Sequence, residues 1–246
     1  MNAYKKYLAP ALFMIVTLMA TPALAESVTV NFAEGFGLTD RVVQIILLVT
    51  VMSLAPSILI MVTSFVRIVI VLSLLRTAMG VQQSPPNSVI ISLALFLTAF
   101  VMMPVFEKAY EDGVKPLMNQ EMEMAEAFDG AVAPFRVFML SQVRAKDLEL
   151  FVNLARAEMP ETVADTPLHV LVPAFMISEL RRAFEIGFLV FLPFIIIDMV
   201  VASILMSMGM MMLPPIMISL PFKLIFFVLV DGWHLITGSL VQSFGL

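Results

Sequence analysis

Residues 186–215 read IGFLVFLPFIIIDMVVASILMSMGMMMLPP, and Asp198 is the only charged position among them. As a helix, residues 186–208 are long enough to cross a bilayer core of about 30 Å. Gly209 and the pair Pro214-Pro215 then punctuate the run, since glycine loosens a helix and proline removes a backbone donor. A second apolar run follows over 214–238. The stretch therefore reads as a helical hairpin in an apolar solvent, and it predicts an all-α integral membrane protein built of long kinked helices and helical hairpins.

The rest of the chain agrees. Of 246 residues, 61% are hydrophobic and only 13% charged, with mean hydropathy +1.00. A soluble domain carries about 25% charged residues, so lipid or protein partners must cover much of this surface. The net charge is −5 with no basic run, which disfavours nucleic acid. Cysteine is absent and histidine occurs only as His169 and His234. That excludes thiolate ligands, disulfides and a cysteine nucleophile, and leaves too few groups for a zinc site or most histidine chemistry. No cofactor or metal is expected, and no phosphate-cradling glycine motif or nucleophile–base pair marks an enzyme.

Two further spans precede the hairpin. Val42 to Val66 is free of charge, and Val89 to Phe106 is again apolar. Between them lie Arg67, Arg76, Gly80 and Ser84-Pro85-Pro86-Asn87. Read as turn residues, the arginines place that turn in the cytoplasm by the positive-inside rule. Residues 26–106 thus form a lead-in and first hairpin. Residues 107–165 differ, with twelve acidic and six basic residues. They read as an acidic helical insertion on the periplasmic side, with Leu148, Phe151 and Leu154 at helical spacing. Residues 166–246 hold the C-terminal hydrophobic hairpin.

The first 25 residues have the layout of a signal peptide. Lys5 and Lys6 are basic, Leu8 to Leu18 is apolar, and Ala23-Leu24-Ala25 precedes Glu26. Cleavage between Ala25 and Glu26 leaves the mature N-terminus in the periplasm. An uncleaved first transmembrane helix is the alternative reading.

Charges inside apolar spans are few, so each needs a partner. Asp198, Lys223 and Asp231 lie deepest. If the chain reverses near 210–211, Asp198 and Lys223 sit about 18–19 Å from the turn on opposite arms at 1.5 Å per residue, and can pair within one hairpin. Glu179 is the rival partner for Lys223, reaching it from a neighbouring subunit. Glu179, Arg181, Arg182 and Glu185 otherwise read as a solvated helix face. A proton-coupled secondary transporter using Asp198, Asp231 and Lys223 as a relay is the alternative function. The short chain and the lack of internal repeats stand against it.

Three blocks resemble the FliP family of type III secretion. The first runs from Arg67-Ile68-Val69-Ile70 to Arg76, and on through Gln82-Gln83-Ser84-Pro85-Pro86-Asn87. The second is Pro173-Ala174-Phe175-Met176-Ile177-Ser178-Glu179-Leu180 with Gly187-Phe188, Phe191-Leu192-Pro193-Phe194 and Asp198. The third is Gly209-Met210-Met211-Met212-Leu213-Pro214-Pro215 with Leu220-Pro221-Phe222-Lys223-Leu224 and Asp231-Gly232-Trp233. The resemblance implies a core subunit of the flagellar export gate in the bacterial inner membrane. Its partners would be FliQ-like and FliR-like subunits, further copies of itself in a helical ring, and a FlhB-like switch protein, with unfolded flagellar proteins as cargo. The signal peptide favours the flagellar branch over the injectisome. The resemblance also implies bent hairpins that sit largely above the bilayer plane. Met210, Met211 and Met212, repeated around such a ring, would form a deformable hydrophobic seal. A lipid-exposed turn is the alternative.

Overall fold

The computed structural model describes residues 38–81, 83–155, 166–210 and 213–245. The proposed cleavage site, Ala25 and Glu26, lies outside them, as do Met211 and Met212. Contacts divide the chain into Met1–Thr50 and Val51–Leu246. Of the first unit only the opening of α1 is described.

Every regular element among the described residues is a helix. They are α1 (Leu38–Met61), α2 (Phe65–Ala78), α3 (Asn87–Ala109), α4 (Lys115–Met118), α5 (Met124–Gln142), α6 (Ala145–Ala155), α7 (Leu168–Ser207), α8 (Pro215–Leu229) and α9 (Gly232–Gln242). A π-helical turn, Tyr110–Val114, joins α3 to α4. Among the described residues two helices are long and apolar enough to cross a membrane, Asn87–Met118 and Leu168–Ser207, or up to four if each of two bent helix pairs is one span. The protein is an all-α integral membrane protein.

Its core forms around α2. Ile68, Val71, Leu72, Leu75 and Ala78 recur at helical spacing, and none exceeds 3% exposure. They pack on Ile90, Ala94 and Val101 of α3, on Ala183 and Val190 of α7, and on Leu240 and Phe244 at the chain's end. The main partner of α2 is α7. The two approach closely where a Cβ on Gly187 would stand 2.3 Å from Leu74 Cδ1.

The expected spans differ from the observed helices in three ways. The run 42–66 does not continue unbroken, since α1 ends at Met61 and α2 starts at Phe65. Residues 214–238 are broken at Val230–Asp231, where α8 and α9 meet at 64°. There the Phe227 ring lies against Gly232, where a Cβ would stand 2.2 Å away, and packs edge-on to Trp233 at 5.4 Å. The third difference is α7, which begins at Leu168, well before the expected start at 186. Charges ended the span on hydropathy, yet Glu179, Arg181, Arg182 and Glu185 are all compatible with helix. Arg181 and Glu185 pair four residues apart on an exposed face, at 2.7 Å. Pro173 and Pro193 are held inside the helix.

Within the acidic insertion, the π-helical turn and α5 meet backbone to backbone. A Cβ on Gly113 would lie 2.6 Å from Ala127 O, and one on Gly130 would lie 2.4 Å from Asp112 O. The insertion docks on α7. The backbone N–H of Arg144 donates to Ser178 Oγ at 3.1 Å, and Ser178 Oγ lies 2.6 Å from Asp147 Oδ2. Met139, Leu171, Phe175 and Val62 form a buried cluster beside these contacts.

Candidate functional site

The chemistry of the chain sits in two ion pairs on α7, one fully buried and one partly exposed, and in the loop that ends it. The pair nearer the start of α7 was only half visible in the sequence. Arg67, placed by the sequence in a cytoplasmic turn, is the third residue of α2 and fully buried. Its partner is Glu179, also fully buried. Arg67 Nε donates to Glu179 Oε2 at 2.8 Å, and Nη2 donates to Glu179 Oε1. Nη2 also reaches Gln142 Oε1 at 3.0 Å, while Nη1 donates to the carbonyl and hydroxyl oxygens of Ser243, each at 3.0 Å. The Phe244 ring lies 3.8 Å from the guanidinium carbon. Such a side-on guanidinium–carboxylate pair suits arginine's rigid fork, which lysine cannot reproduce.

The second pair joins the arms of the C-terminal hairpin. Lys223 Nζ lies 2.7 Å from Asp198 Oδ2 and 3.3 Å from the carbonyl of Ala78. Ala78 is the last residue of α2, so the ammonium also neutralises the negative end of that helix. Ser219 Oγ donates to Asp198 Oδ1 at 2.5 Å. The Asp198 side chain keeps 31% exposure, against 5% for Lys223. Within one chain, then, Glu179 faces Arg67 and not Lys223. It is also not part of a solvated face. Asp231 is not deep either: it is exposed at the α8–α9 elbow, with φ 50°.

The loop opens with a glycine cap. Met210 N bonds Leu205 O and Gly209 N bonds Met206 O, with Gly209 at φ 74°. This is the Schellman pattern, which needs a left-handed residue and therefore favours glycine. Pro215 opens α8 at the position where its missing N–H costs nothing. Met210, the one member of the methionine triplet among the described residues, is exposed.

Signals for the missed residues existed. An arginine followed by Ile68 to Leu75 without a charge is an intramembrane cation in search of an anion. Glu179, in the second family block, is the matching anion. Ser219, Gln142 and Ser243 carry no such mark, because small polar residues are common in any helix.

Over residues 48–240 the sequence matches the FliP family. The chain belongs to the FliP family. It is 67% identical over 228 residues to the flagellar biosynthetic protein FliP of Caulobacter vibrioides, covering 92% of this chain and 86% of that protein. To the protein of the same name from Bacillus subtilis it is 57% identical over 202 residues, covering 82% and 91%. To that from Rhizobium meliloti it is 53% identical over 237 residues, covering 94% and 97%. As a FliP-family member it is a membrane component of the flagellar export apparatus and not an enzyme.

Proposed function

We propose that this FliP-family chain is a core subunit of the flagellar type III export gate in the inner membrane. With FliQ-like and FliR-like subunits and further copies of itself it builds a helical ring, and unfolded flagellar proteins pass through the channel. A FlhB-like switch protein acts beside it. The acidic insertion faces the periplasm, and the mature chain begins at Glu26. Met210, Met211 and Met212 form the channel seal.

One observation carries the reading that the chain is a subunit and not a solitary transporter. Large apolar side chains stay exposed along α7 from Ile177 at 41% through Phe188 at 62% and Ile196 at 60% to Met206 at 60%. Beyond Glu185 the uncharged part of that surface matches a bilayer core, but Met124 at 72%, Phe128 at 63% and Val137 at 67% on α5 and Leu154 at 67% on α6 are exposed in the charged insertion, which a bilayer core cannot cover. Other protein must cover the rest, because exposed apolar area of this extent marks an interface. A proton relay is less well supported, since Lys223 and Asp198 neutralise each other within the chain.

The test is native mass spectrometry of the full-length protein, expressed with its FliQ-like and FliR-like neighbours and extracted in detergent. The expected result is one complex holding several copies of this chain together with both neighbours. Extraction as a monomer or simple dimer, with binding of a small solute, would overturn the proposal. N-terminal sequencing of the same material reads the start of the mature chain, expected at Glu26.

A further inference from the structure

We infer that the segment just past α9, here called the tail, acts as an intramolecular ligand. Ser243 and Phe244 complete the coordination of Arg67, and through Gln142 they make the docking of α5 depend on that segment. Arginine has five N–H donors in a fixed fork. All five are used here: two by Glu179, one by Gln142 and two by Ser243. The two acceptors on Ser243 come from 176 residues further along the chain. Phe244 covers the guanidinium with its ring and stacks on Phe138 of α5 at 6.2 Å.

Gln142 links the two ends. Its Oε1 accepts from Arg67 Nη2, and its Nε2 donates to the carbonyl of Phe244 at 3.4 Å. Gln142 is the last residue of α5, and two residues later Arg144 N bonds Ser178 on α7. The position at which the insertion meets α7 is thus set by the same cluster that receives the tail. Without the tail, both Nη1 donors lose their acceptors in a site with no exposure, and Gln142 and Phe138 each lose a partner. The Arg67–Glu179 fork itself needs nothing from the tail. Tail loss should therefore loosen α5 and α6 while leaving α2 paired to α7.

An ordinary packed C-terminus makes a different prediction, because its loss would add independently to any change at Arg67. The experiment is a double-mutant cycle read by hydrogen exchange on the full complex extracted in detergent. One arm is a stop after Gln242. The other is Arg67→Met with Glu179→Met, which replaces the pair by apolar side chains. In the wild-type background the stop should speed exchange in residues 135–155 by at least tenfold more than in residues 65–78. In the Met/Met background the same stop should add less than twofold. Equal increments in both backgrounds, or faster exchange confined to α9, would overturn the inference. Phe244→Leu, which keeps the chain length and the Ser243 contacts, should give a smaller increase over the same residues, and no increase there counts against it. If the stopped chain fails to accumulate, accumulation in the Met/Met background supports the coupling, and failure in both refutes it.

Discussion

The two ion pairs on α7 are built to opposite specifications. Arg67 and Glu179 are both fully buried, and every guanidinium donor is satisfied by the same chain. Nothing is left for an outside partner. Asp198 and Lys223 form an open pair. The carboxylate is 31% exposed, and among the described residues two acceptors meet the ammonium, Asp198 and Ala78. A closed pair holds a chain together, whereas an open pair can exchange partners. Under the proposed function the two answer different requirements: one serves the fold, the other assembly.

Breaking the closed pair should have the largest effect. Arg67→Ala leaves Glu179 buried and unpaired, at a cost of about 3–5 kcal/mol. Arg67→Met with Glu179→Met should recover most of it, since apolar replacement of a buried pair is often neutral. Denaturation of the detergent-extracted protein measures both. If the double variant is no better than the single one, the pair does more than fill the core.

Lys223→Ala should cost less, about 1–3 kcal/mol. Asp198 then keeps Ser219 and the exterior, so no charge is stranded. Its effect on assembly should exceed its effect on the isolated chain. That is read by comparing unfolding of the monomer with recovery of the complex. An exchange of Asp198 and Lys223 should restore part of the monomer's stability. Equal losses for Arg67→Ala and Lys223→Ala in the monomer would erase the distinction between the pairs.

Gly187 lies between the two pairs on α7 and tests whether they are mechanically linked. An added methyl would press on Leu74, the flexible end of a side chain, so Gly187→Ala should cost about 1 kcal/mol. Adding Leu74→Ala should remove the clash without repairing the packing. If the pairs are separate devices, Gly187→Ala adds to Arg67→Ala and to Lys223→Ala alike, within about 0.5 kcal/mol.

The open pair was the more legible in the sequence. Asp198 and Lys223 are isolated charges in apolar runs, equidistant from a reversal near 210–211, so spacing allowed them to pair across the hairpin, with Glu179 as the rival partner of Lys223. The closed pair was hidden because Arg67 sits at the edge of an apolar run, where hydropathy assigns it to a turn. Only the break at Val62–Ser64 turns that edge into the start of a helix. In the same way Glu179 was grouped with Arg181, Arg182 and Glu185, although a helix carries neighbouring residues to different faces. The all-α class, the hairpin reversal and the family blocks were readable because they depend on local pattern. Ser243 and Gln142 were not, because their roles depend on contacts 176 and 75 residues away.

The smallest expected effect on stability belongs to the loop between Asp198 and Lys223. Met210 is exposed, and the reversal opens on the Gly209 cap and closes on Pro215 at the start of α8. Met210→Ala, Met211→Ala and Met212→Ala together should leave unfolding within about 0.5 kcal/mol of wild type, because a loop contributes little core. Assembly should also persist, since the open pair and the α7 surface proposed to meet partners are untouched. What should change is tightness. Thioether side chains crowded at one level of a channel exclude water and ions, and they yield to a passing chain because they are flexible. Alanine at the same positions leaves a wider, less apolar constriction. Cells carrying the triple variant should leak small ions, and the purified complex in planar bilayers should conduct where wild type is silent. A complex that assembles normally and stays ion-tight would assign the triplet to lipid and the seal to some other part of the assembly. It would also leave the open pair, eleven positions before and fourteen after Gly209, as the functional feature of this hairpin.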